Sequence, residues 1–247
     1  MSRHRAVQAA AVVALILLYY GIQLLTRLFA VYPYFDLPDE WTQHGNWVQM
    51  IDHHLWQLVF AVAVIFVLSL GRLRDWGLNL RNLQESLRLL KKFCVVYGVY
   101  FVGIGLLVQW LFLPVSPPEF TLTTANVVGR LFFMSVISGL SEEILFRGLM
   151  QTSLSRVMPG VWRWREIDLP VAGLITAVIF TLVHINFTLA PFEITHLYLP
   201  QLALALVLGV YYAYAYHRTG SLLTPILAHN FSNGTLYGSG LVLQWVK

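Results

Sequence analysis

The feature that most constrains this chain is the recurrence of long apolar runs almost free of charge. Residues 6–25, 55–70, 93–113, a run opening near 124–127, then 169–185, 201–216 and 222–246 all have this character. A helix crosses a bilayer with about 20 apolar residues, and most of these runs approach or exceed that length. Inside hydrocarbon no water reaches the backbone, so each run must satisfy its own N–H and C=O groups, which a helix does. Composition agrees: 57% of residues are hydrophobic, 11% are charged and the mean hydropathy is +0.66, whereas a soluble domain carries about 25% charged residues. The expected fold is therefore an all-α polytopic membrane protein, a single domain over 1–247 with seven spans. A re-entrant segment within 187–199 would make eight and move the C-terminus to the other side.

Where the charges sit sets the orientation. Arg3 and Arg5 precede the first run, which ends Tyr19-Tyr20-Gly21 without a small-residue cleavage site, so it reads as a retained span. Residues 71–92 are basic, with Leu80, Leu83, Leu87 and Leu90 at helical spacing, and predict an amphipathic interfacial helix over 76–92. Trp162-Arg163-Trp164-Arg165 reads as an interfacial anchor. With the N-terminus in the cytoplasm, 13 Lys and Arg residues fall on the cytoplasmic side and three outside, which predicts N-in, C-out in a bacterial plasma membrane. Because the basic residues flank spans instead of clustering with exposed aromatics, no nucleic-acid face is expected. Cys94, the single cysteine, permits no intrachain disulfide and reads as a small core hydrophobe.

One run breaks the apolar rule: Ser141-Glu142-Glu143-Ile144-Leu145-Phe146-Arg147-Gly148. Ionisable groups at membrane depth cost about 2.5–3.5 kcal/mol each on insertion scales and point to function. Glu143 and Arg147 are i and i+4 with the acid first, the better orientation for an ion pair. Glu142 lies about 100° around the helix and is left free of that partner. Two later runs carry histidine: His184 ends the fifth, while His229 and Asn233 share one helix face in the seventh. Lipid tolerates none of these groups, so they are expected to converge in a cavity inside the bundle.

Glu-Glu-x-x-x-Arg at 142–147, Phe-x-x-x-His at 180–184 and His-x-x-x-Asn at 229–233, in this order, resemble the CPBP intramembrane proteases, the group containing the CAAX prenyl endopeptidase Rce1. The turn Arg218-Thr219-Gly220-Ser221-Leu222 is similar too, and the resemblance covers about 127–236, within a core of 124–240 that follows N-terminal helices over 1–113. It implies a peptidase whose site opens to the cytoplasm and whose substrate is a membrane-associated protein or peptide precursor, prenylated or not. A free carboxylate such as Glu142 suits general base and then general acid work on a water. His184 would hold that water, and His229 with Asn233 would stabilise the oxyanion. A metal version is equally writable: Glu142, His184 and His229 would ligate a divalent ion such as zinc and Glu143 would become the base. The rival readings are a non-catalytic scaffold using the cavity to bind a partner helix, and a proton-coupled transporter, for which no internal repeat is found.

The remaining features carry no function in this reading. Asp52-His53-His54 is assigned to a loop at the membrane surface, His196 and His217 to interfaces, and Tyr211–Tyr216 to lipid or interface contacts. Gly234, Gly238 and Gly240 are assigned to close helix packing, and Ser239 is not read as a nucleophile because no strand-to-helix elbow or base accompanies it.

Overall fold

The structure is a computed structural model that describes residues 3–39, 41–42, 46–112 and 120–246. Among these, seven helices and two short hairpins follow one another: α1 (Arg3–Leu28), α2 (Trp47–Ser69), α3 (Leu83–Phe112), α4 (Thr124–Val157), β1 (Val161–Trp164) paired with β2 (Ile167–Pro170), α5 (Val171–Leu182), β3 (Asn186–Leu189) paired with β4 (Phe192–His196), α6 (Leu199–Thr219) and α7 (Leu223–Val246). Five of the helices are long and apolar enough to cross a membrane, the first four and α6, and α5 is apolar but shorter. This is an all-α polytopic membrane fold.

Four expectations change. The second span begins at Trp47, not at 55, so Asp52, His53 and His54 lie on a helix. The carboxylate of Asp52 makes this possible, because it accepts the backbone N–H groups of Val31 (2.9 Å) and Tyr32 (3.3 Å) at the end of the preceding connection. The interfacial helix over 76–92 is not separate either. A turn over Leu73–Trp76 buries Trp76, Gly77 follows with φ +87°, and α3 then runs from Leu83 straight into the third span. Its inner face is Ser86, Leu89 and Phe93, while Leu80, Leu83 and Leu87 face outward.

The segment 187–199 does not re-enter. It forms the β3–β4 hairpin, antiparallel with Thr188 opposite Glu193. Its alternating pattern suits a strand, whereas helix needs apolar groups every three or four residues. The fourth change concerns Tyr212 and Tyr216, which are buried and not lipid-facing; their hydroxyls reach Ser232 Oγ (2.8 Å) and Thr152 Oγ1 (2.7 Å).

In lipid, apolar surface gains little by leaving one apolar surroundings for another, so helices associate through small residues and polar contacts. The structure uses both around α4. The Gly139 N–H donates to Asn230 Oδ1 on α7 (2.8 Å), and Asn230 Nδ2 donates back to the Val136 carbonyl (3.1 Å). A Cβ at Gly139 would sit 2.6 Å from that same oxygen, so only glycine allows the approach. On the other side Gln23 of α1 donates to Gln57 of α2 (2.8 Å), which donates to Ser141 of α4 (2.7 Å). Of the three glycines assigned to packing in α7, Gly234 lies against Ser135, whereas Gly238 and Gly240 face open space.

Candidate active site

Helix α4 contains two wide, π-helical stretches, Phe133–Ile137 and Ile144–Gln151, flanking the regular turns Ser138–Glu143. Such irregularities often mark functional sites, because they re-aim side chains that a uniform helix would place elsewhere. The regular turns between them carry two adjacent carboxylates into two environments.

Glu143 turns into the bundle. Its side chain and that of Arg147 are both fully buried, with Oε1 and Oε2 each 3.2 Å from a guanidinium nitrogen. Arg147 also donates to the Gly209 carbonyl of α6 (2.8 Å) and lies 4.8 Å over the ring of Phe180 and 5.5 Å from that of Tyr212. The predicted i,i+4 pair is therefore present and completely enclosed. The same Glu143 Oε1 accepts a hydrogen bond from His229 Nδ1 at 2.7 Å. Glu143 thus supports the site from behind and does not line it.

Glu142 turns the other way, into a cavity of about 460 Å³ among α2, α4, α5, α6 and α7. His184, His229 and Asn233 line the same cavity, so the structure brings together the residues that the sequence put in three separate runs. His229 Nε2 stands 3.8 Å from Glu142 Oε2, its ring stacked on Tyr212 with centroids 5.1 Å apart. His184 sits in the turn just past α5, its Nδ1 held by the Phe180 carbonyl at 2.7 Å and its ring edge-on to Phe180. Asn233 Nδ2 donates to Ser138 Oγ (3.0 Å) on α4.

One residue of the cavity was assigned no role by the sequence. His54 of α2 donates from Nδ1 to the Met50 carbonyl (2.9 Å), and its Nε2 stands 3.2 Å from Glu142 Oε1, with Phe133 edge-on to its ring. Glu142 then has a partner after all, from another helix. Glu143 is paired with Arg147 and Glu142 contacts His54, so neither carboxylate is left without a partner. The sequence did carry a signal: His54, Gln57, Ala61 and Ile65 recur at helical spacing and form the inner face of α2.

A second cavity, of about 560 Å³, adjoins Glu142, His54 and His184 on the side of Tyr19, Gln23, Gln57 and His196. Glu142 therefore stands at a neck between two spaces, one mostly apolar and one lined by amides and histidines. Both lie toward the end of the bundle where α1 ends and α2 begins. The cavity residues lie early on α2, from the start of α6 to its middle, along the middle of α7 and at the end of α5. The mouth is thus at the end opposite Arg3, and a cytoplasmic N-terminus and a cytoplasmic mouth cannot both hold.

All three histidines have Nδ1 occupied by an oxygen, which leaves Nε2 toward the site, the tautomer and aim that metal ligation uses. The donor atoms suit a zinc-type ion. Their spacing does not: among the described residues no three His, Cys, Asp or Glu side chains are placed to hold one metal ion. Glu143 is equally unsuited to serve as base, being tied to Arg147 and His229 outside the cavity.

A family model described as "Type II CAAX prenyl endopeptidase Rce1-like" matches residues 124–235, from the first residue of α4 to two residues past Asn233. No curated protein and no solved structure matches the chain.

Proposed function

Residues 124–235 belong to the Rce1-like family, a group of intramembrane endopeptidases, and from that premise we propose that this chain hydrolyses a peptide bond with a water activated by Glu142. The observation that carries the reading is the position of Glu142. It is the one carboxylate on the 460 Å³ cavity, flanked by His54 and His229 and facing the same space as His184 and Asn233.

The roles follow from which atoms are free. His184, with Nδ1 held by a carbonyl, offers Nε2 as an acceptor for one hydrogen of the water. Glu142 accepts the other as the oxygen attacks the scissile carbonyl carbon, and the C=O pair moves onto its oxygen. His229 and Asn233, one turn apart on α7, are the donors available to that oxyanion. For His229 this requires a hydrogen on Nε2 as well as on the Nδ1 that faces Glu143. Collapse of the tetrahedral intermediate breaks the C–N bond, and Glu142 returns its proton to the departing amine. Glu143 and Arg147 act at a distance, fixing the ring of His229 and the α4 backbone. No step is routed through a metal, since the donors do not converge.

The test compares peptide termini in membranes of cells making the parent chain with those making Glu142→Gln. New termini found only with the parent are the expected result and name the substrate directly. Identical termini, with both proteins inserted at equal levels, would move the reading to a scaffold that binds a partner helix in the same cavity.

A further inference from the structure

The orientation of the mouth carries a further conclusion, which rests on the proteolytic reading for its substrate but not for its geometry. The sequence contains 16 Lys and Arg residues. Lys247 lies outside the described residues and Arg147 is enclosed mid-bundle. Of the rest, only Arg27 at the end of α1 and Arg130 near the start of α4 lie at the end where the cavity opens. The other twelve lie at the opposite end. They are carried by the start of α1, the 71–82 connection, the start of α3, the end of α4, the β1–β2 hairpin and the end of α6. Contacts join these pieces into one surface: Gln8 reaches the Val157 carbonyl (3.4 Å), Leu222 N–H donates to the Gly77 carbonyl (2.9 Å), and Asn82 reaches the Thr219 carbonyl (3.0 Å).

Lys and Arg in short connections are retained on the cytoplasmic side of a membrane, and twelve against two is a strong bias. Every helix direction agrees on where the cavity lies. The deep residues Glu142, Phe180, Tyr212 and His229 are mid-bundle, while Met50, Met134, His184 and Gln201 lead outward to the end with few basic residues. The β3–β4 hairpin stands at that same end, contributing Asn186 and His196 to the second cavity and bearing Glu193.

We propose that the site opens on the non-cytoplasmic face of the membrane and takes an extended peptide segment presented from that side, such as the exported part of a membrane-anchored or secreted protein. This reverses the cytoplasmic mouth implied by the family resemblance and keeps the cytoplasmic N-terminus. A lipid-modified C-terminus held in the cytoplasm would meet the closed, basic end.

The test uses the full chain in intact cells. Cys94, the only cysteine, is replaced by alanine, and one reporter cysteine is introduced at a time: Glu193→Cys on the hairpin or Gln84→Cys at the start of α3, both exposed. A membrane-impermeant maleimide is expected to label Glu193→Cys in intact cells as fully as after lysis, and Gln84→Cys only after lysis. The reverse pattern overturns the proposal. A second arm offers one peptide segment tethered to a single-span helix on either face. Cleavage of the non-cytoplasmic tether, absent with Glu142→Gln, is expected, and cleavage of the cytoplasmic one overturns the proposal. If neither tether is cut while the labels fall as expected, proteolysis is what fails, and the side of the mouth is decided by the labels.

Discussion

Glu142 and Glu143 are neighbours in sequence, yet one faces a cavity and the other is sealed inside the bundle. Glu143 is sealed in: a guanidinium nitrogen 3.2 Å from each oxygen, His229 on one of them, and no solvent exposure. Glu142 has one firm contact, to His54, a second histidine at 3.8 Å, and open space. The difference is about 100° of helix rotation, and it teaches that a reactive carboxylate is made by withholding partners as much as by supplying them. The enclosed pair gives rigidity and a fixed field; the exposed one keeps capacity to take and return a proton.

The sharpest way to break that contrast is to neutralise each acid in turn. Glu142→Gln keeps the shape and removes the base, so turnover is expected to fall by about 10²–10⁴-fold, with thermal stability in detergent unchanged. A stability loss without a rate loss would assign Glu142 to structure. The opposite signature is expected from Arg147→Ala. Removing one partner of a buried pair leaves an uncompensated charge and costs about 3–5 kcal/mol, read as a lowered denaturation midpoint. If the variant is as stable as the parent, water reaches Glu143 and the enclosed region is not closed.

Asn233→Ala tests the α7 side of the cavity. A lost oxyanion donor costs about 2.7–4 kcal/mol of transition-state stabilisation, so the rate should drop by about 10²–10³-fold with little change in KM. An effect on KM alone would make Asn233 a binding contact, and no effect would mean that its bond to Ser138 is its whole role. His54→Ala should be milder. Glu142 loses its nearest partner, and a fall of about tenfold in kcat corresponds to about 1.4 kcal/mol. His54→Gln, which keeps a donor, is expected to recover part of it.

How these residues were legible in the sequence differs for the same physical reason. The spacing of Glu143 and Arg147 is local, and helical geometry alone predicts their contact. The convergence of His184, His229 and Asn233 was legible because lipid forbids each of them separately. His54 was not, because a boundary drawn by hydropathy excludes Asp52, His53 and His54 from the second span, whereas the protein satisfies Asp52 with two backbone N–H groups donated from across the preceding connection. Tertiary hydrogen bonds of that kind leave no periodic trace. The β3–β4 hairpin was missed because its apolar residues Phe187, Leu189, Phe192 and Ile194 read as membrane-seeking, although their alternation is that of a strand.

The smallest expected effect concerns the metal. Prolonged dialysis of the detergent-solubilised protein against a strong chelator is expected to leave the cleavage rate within about twofold of the start, because a catalytic zinc uses three protein ligands around one point and the described side chains offer no such set. His184 and His229 nevertheless have their Nδ1 atoms anchored, and both line the cavity that Glu142 faces. Loss of activity on chelation, restored by zinc and absent in a His184→Ala variant supplied with the same metal, would turn their Nε2 atoms from water-holders into ligands. Glu142 would then be a ligand too, and the contrast between the two carboxylates would become one between coordination and ion pairing.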